Sequence, residues 1–116
     1  MCFEMLKYSR PKRAKKDILC WKILNIDYTP LYWGIKSPYN PRVLNPIIEL
    51  KKRKLRGLSF YIIEEGYHSY QTQETAINQN REWEKNTTII AEFIIPKGTL
   101  YYENKEEYVS ETIMMK

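Results

Sequence analysis

His68 is the single histidine of the chain and stands in Gly66-Tyr67-His68-Ser69-Tyr70. It is therefore the one side chain whose ordinary pKa lies near neutrality. Two roles fit that position. The ring is a general base or ligand contact at the mouth of a sheet, or it bonds a backbone carbonyl and holds a turn between a strand and a helix cap. Ser69 does not complete a dyad with it, because neighbouring residues of an extended chain point to opposite faces. The carboxylates Glu64, Glu65, Glu106, Glu107 and Glu111 are numerous, but their spacing defines no acid–base pair. Glu92 interrupts an apolar run and reads as an outward position on a partly wet sheet face. Cys2 and Cys20 form neither a Cys-x-x-Cys pair nor a ligand cluster, so no metal site and no disulfide framework is expected. Cys20 instead reads as a small buried hydrophobe. The four glycines fit no phosphate-cradling loop, and no cofactor is expected.

Charge points to a second kind of chemistry. Residues 1–58 have a balance of +10 and residues 59–116 one of −5, within a net charge of +5. Most of the positive charge falls in two runs: Arg10, Lys12, Arg13, Lys15 and Lys16, then Lys51, Lys52, Arg53, Lys54 and Arg56. Cations neutralise phosphates and aromatic rings stack on bases, so these runs with Trp21, Tyr32, Trp33 and Tyr39 fit an anion-binding surface. No zinc finger, RNP signature or helix-turn-helix accompanies them. The same asymmetry is equally expected if the two halves pair with each other inside one sheet.

These residues need elements to position them. The 116 residues suit one domain, 1–116, with residues 1–16 as a basic and flexible N-terminal segment. Residues 17–26 read as a central strand, with Trp21 and Ile23 on one face and Cys20, Leu24 and Ile26 on the other, interrupted by Lys22. Pro30, Pro38, Pro41 and Pro46 make 29–46 a long loop whose aromatics plug the core or line a groove. With His68 and Tyr70, the loop rings Tyr32, Trp33 and Tyr39 form a candidate ligand-binding set. Strands are predicted at 43–50 and 58–63, flanking the second basic run, with Gly66 suited to a turn. Residues 72–85 read as a helix capped by Thr72, with Ala76, Ile77, Asn80 and Trp83 on one face. Residues 87–95 alternate as a strong strand, Pro96-Lys97-Gly98 is a turn, and 99–103 and 107–115 are further strands. A helix with one apolar stripe must lie on a sheet. The predicted class is α+β: a mostly antiparallel sheet of about five to seven strands with one main helix.

The phrases AKKDILCWKIL (14–24), SPY (37–39), EEGYHSY (64–70), FIIPKGTLYY (93–102) and EYVSETI (107–113), in this order, resemble a group of small proteins from Bacteroides-type gut bacteria and their phages. The resemblance implies a mobile-element setting and transfers no catalytic residue, because that group has no established activity. A second likeness is to the His–Tyr–Glu set of ADP-ribosyltransferase-like folds, which would fall on His68, Tyr70 and Glu111. The function expected is a non-enzymatic binding protein that engages an anionic partner: nucleic acid, a nucleotide-type ligand or an acidic protein surface. In a phage it would neutralise a host defence component or signal. The alternative is an ADP-ribosyltransferase-like enzyme using His68, Tyr70 and Glu111. The N-terminus lacks the apolar stretch of a signal peptide and no window has the length of a membrane span, so a cytoplasmic place is expected.

Overall fold

A computed structural model describes residues 3–6, 10–30, 37–54, 60–82 and 88–116; of 3–6, 52–54, 60–62, 64, 81 and 82 it describes the backbone alone. The chain folds as α+β, with one helix and ten strands in two antiparallel sheets among the described residues. The strands are β1 (Phe3–Leu6), β2 (Lys12–Arg13), β3 (Ile18–Asn25), β4 (Lys51–Lys54), β5 (Phe60–Glu65), β6 (Tyr67–Tyr70), β7 (Thr88–Ile95), β8 (Leu100–Glu103), β9 (Glu107–Ser110) and β10 (Met114–Met115). The larger sheet has seven strands in the order β10-β7-β3-β6-β9-β8-β2, and the smaller has the order β1-β5-β4.

The pairing of β3 with β7 anchors the large sheet, running without a break from Ile18 opposite Ile95 to Asn25 opposite Thr88. Both strands are rich in isoleucine and apolar on nearly every residue, which suits a strand covered on both sides. One face presents Cys20, Leu24, Phe93 and Ile95, all fully buried together with Ile113. The loop covers this face: Tyr39 stacks edge-on against Phe93 at 5.0 Å, and the Tyr67 hydroxyl donates to the Pro46 carbonyl at 2.8 Å. The opposite face presents Trp21, Ile23, Tyr70 and Ile90 to Ala76 of α1 (Gln73–Glu82). Thr72 caps that helix, its hydroxyl accepting from the Thr75 amide at 3.1 Å. Farther along the same face, Ile63 of the small sheet packs with Tyr102, Val109 and Leu50.

Several local expectations are corrected. Residues 43–50 form no strand; they follow the 111–114 segment through single bonds, with the Asn45 amide donating to Ile113 and the Ile48 amide to Glu111. Pro46 has no amide to donate, which breaks the ladder there. His68 lies inside β6 opposite Val109 rather than in a turn. Gly66 only bends the chain between β5 and β6. Its φ is +136°, and a Cβ there would come within 2.6 Å of both Leu50 and Val109, so the bend requires glycine. The predicted strand 107–115 is likewise divided into β9 and β10 by Glu111, Thr112 and Ile113. Residues 1–16 contribute β1 and β2, so parts of the basic segment are paired in both sheets.

Candidate anion-binding edge

Strand β2 closes one end of the large sheet, and the first basic run lies along it. Lys12 is opposite Tyr101 and Arg13 opposite Leu100. Tertiary contacts bring a further cation to this edge. The Arg13 guanidinium donates to the Gly98 carbonyl at 2.7 Å, and the Ala14 carbonyl accepts from the Gly98 amide at 2.8 Å. Lys97 therefore stands beside Arg13 across the turn, held by its own amide donating to Asp17 at 2.9 Å. The turn needs Gly98, whose φ is +89°. Arg10, Lys12, Arg13, Lys15, Lys16 and Lys97 are all exposed.

Two carboxylates temper this charge. Glu103 pairs with Lys12 and raises its pKa, and Asp17 faces the turn amide. Among the described residues, Arg10, Arg13, Lys15, Lys16 and Lys97 have no ion-pair partner. Beside Lys12 on the same face lie the rings of Tyr101 and Tyr108, 5.7 Å apart and nearly perpendicular. Both are half-buried against the main core cluster. Burial raises the Tyr108 phenol, with Glu103 adding to the effect. Lys12 thus shares a face with the two rings, while Arg13, opposite Leu100, points to the other face; cations with neighbouring rings are the combination that holds phosphates and stacks flat ligands.

The second basic run occupies β4, an edge of the other sheet. Lys51 faces Glu65 at 3.6 Å, and both are exposed. Arg56 lies outside the described residues, and Lys52, Arg53 and Lys54 are placed by backbone only. The Lys12–Glu103 and Lys51–Glu65 pairs each join the basic half of the chain to the acidic half.

Of the predicted ligand-binding set, the described members lie on two faces of the large sheet, Tyr39 on one and His68 and Tyr70 on the other. Tyr32 and Trp33 lie outside the described residues. Tyr39 is 7% exposed, and burial raises its phenol. Tyr70 is 5% exposed and is covered by Ala76. Glu111 accepts from the Leu100 amide at 3.0 Å through its carboxylate and holds the end of β9 to β8. His68 shares the helix-side face with Tyr70, two residues away on β6. Burial, reinforced by the Lys22 ammonium, lowers its imidazole to about 4, so the ring is neutral near pH 7.

Lys22 gives this interior its charge. The ladder between β3 and β6 contains one register pair, Trp21 with Tyr70, and beyond it the Lys22 ammonium donates to the His68 carbonyl. The rings of Tyr39 and Phe93 lie 5.9 and 6.0 Å from the same ammonium. Lys22 is partly exposed as a residue, yet burial of the ammonium lowers its pKa to about 8. Cys20, fully buried on the same face, is raised to about 11 by burial, with the neighbouring Ser69 hydroxyl and Lys22 offsetting a little.

No family model matches the chain, and no curated protein or solved structure matches it.

Sequence reading missed Lys97, Tyr101 and Tyr108 as companions of the first basic run. The hairpin signal at Pro96-Lys97-Gly98 was present, but the partner of β2 was not, because a two-residue strand has no periodicity to read. Among the described residues, no three His, Cys, Asp or Glu side chains gather as metal ligands, and no helix is long and apolar enough to cross a membrane.

Proposed function

We propose that the chain is a non-enzymatic binding protein that engages an anionic partner along the β2 edge, and that the partner is nucleic acid. The observation supporting this reading is the group of exposed cations Arg10, Arg13, Lys15, Lys16 and Lys97, without ion-pair partners among the described residues, around an edge strand whose Lys12 lies opposite Tyr101. Charge along an edge matches charge along a phosphate backbone, and the rings offer sequence-tolerant stacking. In a phage or other mobile element, the same surface would let a small protein sequester a nucleic-acid component of host defence.

Anisotropy of a labelled duplex, titrated at several salt concentrations, tests this. Affinity falls with salt by about 0.9 log units per log unit for each phosphate met. Charge reversal at Lys15→Glu and Lys16→Glu together removes about two contacts from that slope while leaving the unfolding midpoint unchanged. Salt-independent binding, or a slope indifferent to the double reversal, would refute the reading.

A further inference from the structure

Register fixes which side chains share a face at the basic end of the large sheet, because directly opposed residues of an antiparallel pair point the same way. One row runs from Ser110 of β9 through Tyr101 of β8 to Lys12 of β2. The row beside it runs from Ser69 of β6 through Tyr108 of β9 to Glu103 of β8. Each row has a buried serine on the inside, a half-buried tyrosine ring in the middle and a charge on the outside. The two rings meet edge to face at 5.7 Å, and the two charges meet as the Lys12–Glu103 pair. All four side chains therefore lie on one continuous patch.

A site for phosphate alone gives Glu103 no role. The exposed cations Arg10, Arg13, Lys15, Lys16 and Lys97 already serve a polyanion, and a carboxylate among them weakens the attraction. Stability does not account for it either: both side chains of the pair reach solvent, and exposed pairs contribute little to folding. Beside two rings, a carboxylate has a different use. It accepts hydrogen bonds and donates none, and its four lone-pair sites leave room for donors besides Lys12. Guanine presents two adjacent donors, N1–H and the N2 amino group, on its Watson–Crick edge. Thymine presents one N–H between two carbonyl oxygens, which a carboxylate repels. Both that edge and the base faces on which rings stack are open in an unpaired strand and closed in a duplex.

We propose that the β2 edge takes a single-stranded nucleic acid, with one unpaired guanine stacked on the Tyr101–Tyr108 pair and its N1–H and N2 amino group donating to Glu103. The inference rests on the nucleic-acid reading above and adds the strand state, a base preference and the residue that sets it. Lys12 orients the carboxylate, and the surrounding cations hold flanking phosphates without regard to sequence. Stacking alone tolerates any base, so discrimination falls to Glu103.

The test is anisotropy of the full chain with labelled thymidine oligomers, one of them carrying a single central guanine, each measured alone and annealed to its complement. The guanine strand should bind about tenfold more tightly than the all-thymine strand, as expected for one two-donor base contact. It should also bind more tightly than its own duplex. Hypoxanthine at the centre, which lacks the N2 amino group, should fall between guanine and thymine. Glu103→Gln should remove the preference while both strands keep their salt dependence. Tyr101→Leu retains apolar bulk against the core and should weaken both single strands by about tenfold, leaving the duplex unaffected. Equal affinity for guanine and thymine strands, a preference that survives Glu103→Gln, or a duplex bound as tightly as its strand would overturn the inference. Steep salt dependence in those cases would leave the nucleic-acid reading standing. Binding of neither strand nor duplex, or binding indifferent to salt, would overturn both.

Discussion

The two ends of the seven-stranded sheet meet the same physical problem with different residues. Each leaves a row of backbone groups beyond its last pairing, and each such row invites another strand. At the β2 end, Lys12 and Arg13 lie in the last strand, and Lys15, Lys16 and Lys97 surround it. At the β7 end the residues are Ile89, Ile90 and Ala91, within a walled cleft. A charged edge repels a neighbouring sheet and attracts a polyanion. The apolar stretch of β7 carries no run of like charge, and the Glu92–Lys116 pair stands beside it. The difference sets a basic edge and an apolar cleft at opposite ends of one scaffold, with the β3–β7 ladder and its core between the apolar cleft and the rest.

The largest expected effect is at the apolar end. Phe93 is fully buried, lies opposite Cys20 on β3 and supports the Tyr39 ring. Phe93→Ala removes that support and leaves a cavity, costing about 3–5 kcal/mol. Urea unfolding should show a lower midpoint with an unchanged slope. Tyr101→Ala at the basic end should cost clearly less, because the ring is only half-buried. Equal losses would mean that the half-buried Tyr101 supports the shared core as fully as Phe93 does, and the contrast between them would fail.

Lys22 offers a smaller and more selective test, since it is a cation turned inward near the apolar end. Its folded pKa of about 8 lies below the ordinary 10.5. Between those values the unfolded chain keeps a proton that the folded chain has released, so stability rises with pH, by at most about 1.4 kcal/mol per pH unit. Below pH 8 both states are protonated and this slope vanishes. Cys20 acts in the opposite sense from its ordinary 9.0 to about 11, because there the folded thiol keeps the proton that the unfolded one loses. The gain due to Lys22 should therefore appear between pH 8 and 9, and Lys22→Met should abolish it. A melting series that is flat over this window in the parent chain would show that the ammonium is solvated.

Much of this architecture was legible in the sequence, and the reason is periodicity. The alternation in 87–95 and in 17–26 identified β7 and β3, assigned their faces and singled out Lys22 as the interruption. Thr72 marked the helix start, and its hydroxyl does bond the Thr75 amide. The edges were not legible. β2 and β10 have two residues each, too few to show a period, and their pairing is fixed by partners distant in the chain. The basic runs read as an anion-binding surface or as solvated charge, whereas Lys12–Arg13 and Lys51–Lys54 within them form edge strands. The 43–50 segment misled for the converse reason: its apolar content suggested a strand, while Pro46 had already removed the amide that a ladder would need. Tyr39 combined the two roles that the loop left open, plugging the core against Phe93 and lining the cleft.

The smallest predicted effect separates the two ends by charge alone. Each has one exposed pair, Lys12 with Glu103 at the basic end and Lys116 with Glu92 at the apolar end. Exposed pairs contribute little to folding, so neither Glu103→Gln nor Glu92→Gln should shift the unfolding midpoint measurably. Their effects on polyanion binding should differ. Glu103→Gln frees Lys12 beside Arg13, Tyr101 and Tyr108, and the salt dependence should steepen by about 0.9 log units for the one added contact. Glu92→Gln frees Lys116 beside the apolar cleft, at the other end of the sheet from β2, and the slope should remain that of the parent chain. If both substitutions steepen it equally, the polyanion is responding to net charge rather than to the β2 edge, and the functional distinction between the two ends is lost.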